Sequence, residues 1–150
     1  MKVAPPDRAG LNSLGAEIPY GVNEVNAFQV PVETLDKVIS SYPNRKLSAI
    51  KIDVEGKDFE VLCGAARILK ECRPAIVVET DLGGGNAIDI MRSSTLGILR
   101  DHGYQLQVIS EITGRLEPLA ERIHFGSQNI LALPQELTKQ STFMRKHTKL

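Results

Sequence analysis

Neither sign of charge is in excess. Lys and Arg number 18, Asp and Glu number 18, and the formal net charge is zero. Nucleic-acid binding normally draws on a basic surplus that neutralises phosphates, so a polynucleotide is not the partner this composition points to. Long apolar runs are missing as well. None approaches the roughly 18 residues that a membrane-spanning helix needs. The opening MKVAPPDRAG has no apolar core of the kind a secretion signal carries. The default location is therefore the cytoplasm. Cysteine is scarce: Cys63 and Cys72 form no C-x-x-C and have no paired histidine spacing, which argues against a zinc site. Their expected place is buried or half-buried, with no chemistry. Internal repeats and low-complexity stretches are lacking too.

What is present is a soluble globular composition. The chain has 150 residues, 42% of them hydrophobic, which is the size of one ordinary domain. Such a chain can bury roughly 70% of its unfolded surface, enough for a core. Residues 1 to 27 read as loop, punctuated by Pro5, Pro6, Gly10, Gly15, Pro19 and Gly21. Phe28 to Val32 is a short strand candidate. Leu35, Val38, Ile39 and Tyr42 then fall on one face of a helix, with Thr34 placed to cap it and Asp36 suited to its dipole. Leu47 to Val54 reads as a second strand. Phe59, Leu62, Ala66 and Leu69 follow at helical spacing until Pro74. Ala75 to Glu79 is an almost wholly apolar strand, Gly83 to Gly85 a turn, and Ile88, Met91, Thr95 and Leu99 a further helix. Tyr104 to Ile109 and Gln128 to Leu133 are the last two strands. With no strong helix between them, they are candidates for antiparallel neighbours. Strands alternating with helices otherwise imply an α/β fold with parallel pairing and helices on both faces.

One strand raises a question. In IKIDVEG (residues 50 to 56), Lys51, Asp53 and Glu55 alternate with Ile50, Ile52 and Val54. A charge in the middle of a strand covered on both faces would be costly. In open α/β sheets, however, ligands bind at the carboxyl ends of strands. Asp53 and Glu55 would project from that end on one side. Lys51, one pleat earlier, could pair with Asp53, and Gly56 permits the sharp exit into the next helix. Glu79 ends the following strand at the equivalent tip. The competing reading is that these acids only cap loops and the next helix.

The segments Val32-Glu33-Thr34-Leu35-Asp36, Lys51 to Gly56, Glu60 to Gly64 and Pro74 to Glu79 stand in the order of the hallmarks of the FkbM family of S-adenosylmethionine-dependent methyltransferases, and the chain resembles that family over residues 13 to 134. His102 to Tyr104 and Phe125 to Pro134 are similar to its last two strands. The resemblance implies a class I methyltransferase (Rossmann-like) fold with a mainly parallel sheet and an antiparallel final strand. It implies methyl transfer from S-adenosylmethionine to an oxygen or nitrogen of a small, sugar-like acceptor. Asp53 and Glu55 would be catalytic, Asp53 and Gly56 would lie at the cofactor, and Glu79 and Lys51 would serve the acceptor side.

The family's Gly-rich first strand and ribose-binding acid have no counterpart before Ile50. The expectation is therefore a partial methyltransferase domain over residues 1 to 134, beginning roughly halfway through, with a polar, basic tail over 135 to 150. Without the usual neighbour, the Leu47 to Val54 strand would present a free edge open to a homodimer or a partner chain. Two other readings remain open: a non-catalytic binding or assembly module, and a phosphate-binding domain using the Gly83 turn, although that turn lacks the G-x-G-x-x-G spacing. His102, His124 and His147 show no partner spacing. Ser127 lacks the G-x-S-x-G context of an acyl-transfer nucleophile. Asn129 is expected to make a structural hydrogen bond.

Overall fold

The computed structural model describes residues 1–3, 26–44, 46–54, 56–81, 94–119 and 127–138. Two short strands, β1 (Lys2–Val3) and β2 (Asn26–Ala27), form an antiparallel pair. The strand expected over Phe28 to Val32 is therefore displaced: β2 stops before Phe28, and the residues after it carry no strand ladder. Helix α1 (Leu35–Ser40) starts where the sequence places it, and the Thr34 hydroxyl accepts from the Lys37 N–H at 3.2 Å. Leu35 and Ile39 pack against the core, whereas Val38 and Tyr42 stay exposed.

Five strands make the main sheet: β3 (Ala49–Ile52), β4 (Ala75–Asp81), β5 (Tyr104–Ile109), β6 (Leu116–Pro118) and β7 (Ser127–Pro134), in the spatial order β3-β4-β7-β5-β6. The sheet is mixed. β3 pairs parallel with β4, while the β4–β7, β7–β5 and β5–β6 pairings are antiparallel. The mainly parallel sheet expected from the alternation of strands and helices is thus corrected. β7 inserts antiparallel between β4 and β5, and the short β6 folds back on β5 as a hairpin. The antiparallel pairing of the last two long strands is as anticipated. β3 ends the order, and among the described residues β4 is its one strand neighbour. No helix among the described residues is long and apolar enough to cross a membrane.

Side chains alternate across a strand, and here the alternation separates two unlike faces. Ile52, Ile76, Val78, Val108, Ile130 and Ala132 are buried in one cluster with Leu62, Ile68, Leu69, Leu96 and Leu99 from the helices. Those helices are α2 (Asp58–Cys63), α3 (Ala66–Glu71) and α4 (Ser94–Asp101). On the opposite face Lys51 is exposed, and Val77, Glu79, Asn129, Leu131 and Leu133 are half-buried. Among the described residues, then, the buried side chains of the helices cover one face, not both.

The single helix expected from Phe59 to Leu69 is two. The break at Gly64 and Ala65 shifts the phase, so Ala65 and Ile68 enter the core while Phe59 and Ala66 face outward. The same shift overturns the expectation for the cysteines. Cys63 ends α2 on its outer side, Cys72 follows α3, and both thiols are exposed.

Tyr104 begins β5 with its ring 2% exposed and its hydroxyl without a hydrogen-bond partner among the described residues. Burial pushes its pKa from 10.0 up to about 12, with the Arg73 guanidinium pulling the other way. The neutral phenol is the form the fold prefers. Its contribution is therefore complete below pH 10 and is lost as pH climbs from 10 towards 12, by about 2–3 kcal/mol in total. Thermal melts between pH 8 and 11.5 should show wild type losing stability faster than Tyr104→Phe above pH 10. Parallel curves would refute this.

Candidate functional site

The polar residues of IKIDVEG meet partners from two other strands. Lys51 stands opposite Val77 of β4, and Glu79, one pleat further along β4, stands opposite Asn129 of β7. All these positions share the sheet face that the helices leave uncovered. The Lys51 ammonium donates to Asn129 Oδ1 at 3.0 Å, across 78 residues of sequence. It lies 3.4 Å from Asp53 Oδ2 and 4.0 Å from Glu79 Oε2. The pairing of Lys51 with Asp53 expected from their spacing is present, and Glu79 stands at the same rim.

The stability these contacts supply is small. The side chains of Lys51, Asp53 and Glu79 are 48%, 47% and 35% exposed, and pairs so open to water contribute roughly 0–1 kcal/mol. An uncovered sheet face that mounts two carboxylates and an amide around one ammonium is better suited to meeting a polar ligand than to holding the fold together. Its charge balance favours a cationic or hydroxyl-bearing ligand over an anionic one.

Gly56 has φ +84°, and a Cβ placed on it would meet nothing within 4 Å. The glycine serves the left-handed backbone of the turn, not a crowded contact. Glu55 lies outside the described residues, as do the Gly83 to Gly85 turn, His124 and His147. The His102 ring Nδ1 is 2.8 Å from the Ile98 carbonyl, a contact within the α4 segment. No group of three or more metal-ligating side chains occurs among the described residues.

Two residues join the site that the sequence reading assigned to other duties or left aside. Asn129 was expected to be structural; instead it supplies the oxygen on which the Lys51 ammonium rests. The signal for that role is the register of β7 against β4, which a linear pattern does not carry. The other is Asp58, the first residue of α2, which is 9% exposed. Its Oδ1 is buried with no hydrogen-bond partner among the described residues. Burial raises its pKa above the usual 3.8. Backbone hydrogen bonding from Asp58 and Val54 opposes that rise, and the nearby Asp53 and Glu79 carboxylates add to it. The Asp58 carboxyl is thus close enough to both site carboxylates to feel their charge. An acid two residues after a turn glycine looks like an ordinary helix-start residue, which is why its burial is not legible in the pattern.

No curated protein and no solved structure matches the chain. A family model does, the Methyltransferase FkbM domain, over residues 4–106. The matched stretch includes Lys51, Asp53, Asp58 and Glu79; Asn129 and the rest of β7 lie beyond it.

Proposed function

The chain belongs to the FkbM methyltransferase family, and from that premise we propose that it transfers a methyl group from S-adenosylmethionine to an oxygen or nitrogen of a small, sugar-like acceptor at the rim formed by Lys51, Asp53, Glu79 and Asn129. The observation that carries the reading is the Lys51 ammonium held among Asp53, Glu79 and Asn129 on the uncovered face of the sheet. The donor set fits the cofactor: carboxylates attract its sulfonium and ammonium charges, and a ligand carrying an excess of negative charge would be repelled. The cofactor supplies an activated methyl group, so the protein's task is chiefly alignment, and a near-attack geometry can supply ~7–11 kcal/mol.

In this reading Lys51 holds the Asp53 carboxylate in place. Asp53 accepts a hydrogen bond from the acceptor hydroxyl and takes its proton as the new bond to carbon forms. Glu79 and Asn129 bind further hydroxyls on the acceptor side. Gly56 lets the chain turn away and leaves room beside Asp53. Glu55 shares the catalytic role assigned to the end of this strand.

The test is calorimetric titration of the 150-residue chain with S-adenosylmethionine, after cooperative unfolding has been shown on the same sample. Saturable micromolar binding is expected, weakened by about tenfold or more in Asp53→Ala, equivalent to roughly 1.4 kcal/mol. A folded chain that binds no S-adenosylmethionine sinks the proposal. The free edge of β3 favours a second reading in that event, a module that assembles with a partner chain or a second copy through strand addition.

A further inference from the structure

We infer that Asp58 is a positioning residue of this site: its buried carboxyl holds the turn between Val54 and Lys57 and so fixes where Asp53 stands relative to Lys51 and Glu79. The turn is the only covalent link between the strand that carries Asp53 and helix α2. It has few restraints of its own. Gly56 occupies a left-handed conformation with no neighbour near its Cα, and the Lys57 N–H reaches the Val54 carbonyl at 3.3 Å. Lys57, at the N-cap of α2, makes no side-chain cap. The Asp58 carboxyl points back instead, towards the backbone of Val54, the residue next to Asp53.

The alternative is that Asp58 simply starts the helix. Two features tell against it. A helix-start carboxylate is normally solvated, yet Asp58 is 9% exposed. Its Oδ1 also lacks a partner among the described residues, and an unsatisfied buried polar atom is unfavourable for folding. A serine or asparagine would begin the helix without that penalty. The penalty falls beside two further carboxylates, Asp53 and Glu79, which makes it worse for stability and places it at the candidate site. Costs of this kind concentrate where function requires them.

The experiment compares Asp58→Ala with Asp58→Asn, which keeps the shape and one acceptor oxygen. NMR follows the Lys51 ammonium and the Asn129 side-chain amide, and hydrogen exchange follows the Val54 and Lys57 amides. In Asp58→Ala, exchange at Val54 and Lys57 should accelerate by about tenfold or more over residues in β4 and β7, and the Lys51 and Asn129 signals should move. Asp58→Asn should restore both. A fall in melting temperature with unchanged Lys51 and Asn129 signals would show a purely structural role and overturn the inference. If Asp58→Ala does not fold, Asp58→Leu, which keeps the buried bulk, carries the same comparison. A further measurement rests on the methyl-transfer reading: S-adenosylmethionine affinity should drop in Asp58→Ala and recover in Asp58→Asn. Should the wild type bind none, that reading fails by itself, and the NMR and exchange data still decide the role of Asp58.

Discussion

Asp36→Ala is expected to remove about 3 kcal/mol of folding stability and to lower the melting temperature by roughly 6–12 °C. The sequence suggests a modest duty for this residue, an acid in the first turn of α1. In the fold its carboxylate serves a different helix. Oδ2 accepts from the Arg67 N–H at 2.9 Å and Oδ1 from the Ile68 N–H at 3.0 Å. These are orphan donors at the start of α3, whose own N-cap residue, Ala65, has no side chain to offer them. The backbone of Asp36 is engaged as well. Its N–H donates to the Gly64 carbonyl at 2.9 Å, and its carbonyl accepts from the Arg67 guanidinium at 2.9 Å. A Cβ on Gly64 would sit 3.4 Å from both Cα and Cβ of Thr34, so the small residue keeps the two segments close.

Truncation to alanine leaves two backbone donors without an acceptor, more than a usual cap loss of 0.5–2 kcal/mol. Asp36→Asn keeps one acceptor and should lose about half as much. Urea denaturation of the three proteins decides the matter. An alanine variant within about 0.5 kcal/mol of wild type would mean that water replaces the carboxylate at little cost.

Arg73 is the second position where a large effect is expected, and there two opposing contributions can be separated. Its backbone is left-handed at φ +50°, a conformation disfavoured for any residue but glycine. Its guanidinium binds the Glu136 carboxylate through Nε and Nη2, the latter at 2.8 Å. It also donates to the carbonyls of His102 and Gly103 and lies 5.0 Å over the Tyr104 ring. One side chain thus ties the loop before β4 to the turn before β5 and to the chain leaving β7.

Arg73→Ala should cost about 3 kcal/mol, because every one of these contacts goes while the strained backbone stays. Arg73→Gly loses the same contacts but relieves the backbone and should be about 1 kcal/mol more stable than the alanine variant. Glu136→Ala should cost no more than about 1 kcal/mol, since the Glu136 side chain is 51% exposed. If Glu136→Ala proves as damaging as Arg73→Ala, the ion pair and not the carbonyl contacts holds this junction. Arg73→Lys should rescue little, because a single ammonium cannot span the fork of acceptors.

Local relations decided what could be read directly from the chain. The alternation of Ile50 and Ile52 against Lys51 and Asp53 showed a strand with one apolar and one polar face. Thr34 marked a helix start, Gly56 a turn, and the almost wholly apolar Ala75 to Glu79 a well-covered strand. The motif order over this region was enough to identify the family. Each of these depends on residues within a few positions of one another, where backbone geometry and side-chain period leave few alternatives.

Tertiary structure decided the rest. The insertion of β7 between β4 and β5 placed Asn129 against Lys51. The break at Gly64 turned one helix into two and put Cys63 outside. Asp36 became the cap of a helix some 30 residues away, and Asp58 was buried beside two other acids. A periodic pattern tells which face of an element is apolar but not which neighbour will meet it. Partner and burial are fixed only when the elements pack, because they depend on which distant groups displace water together.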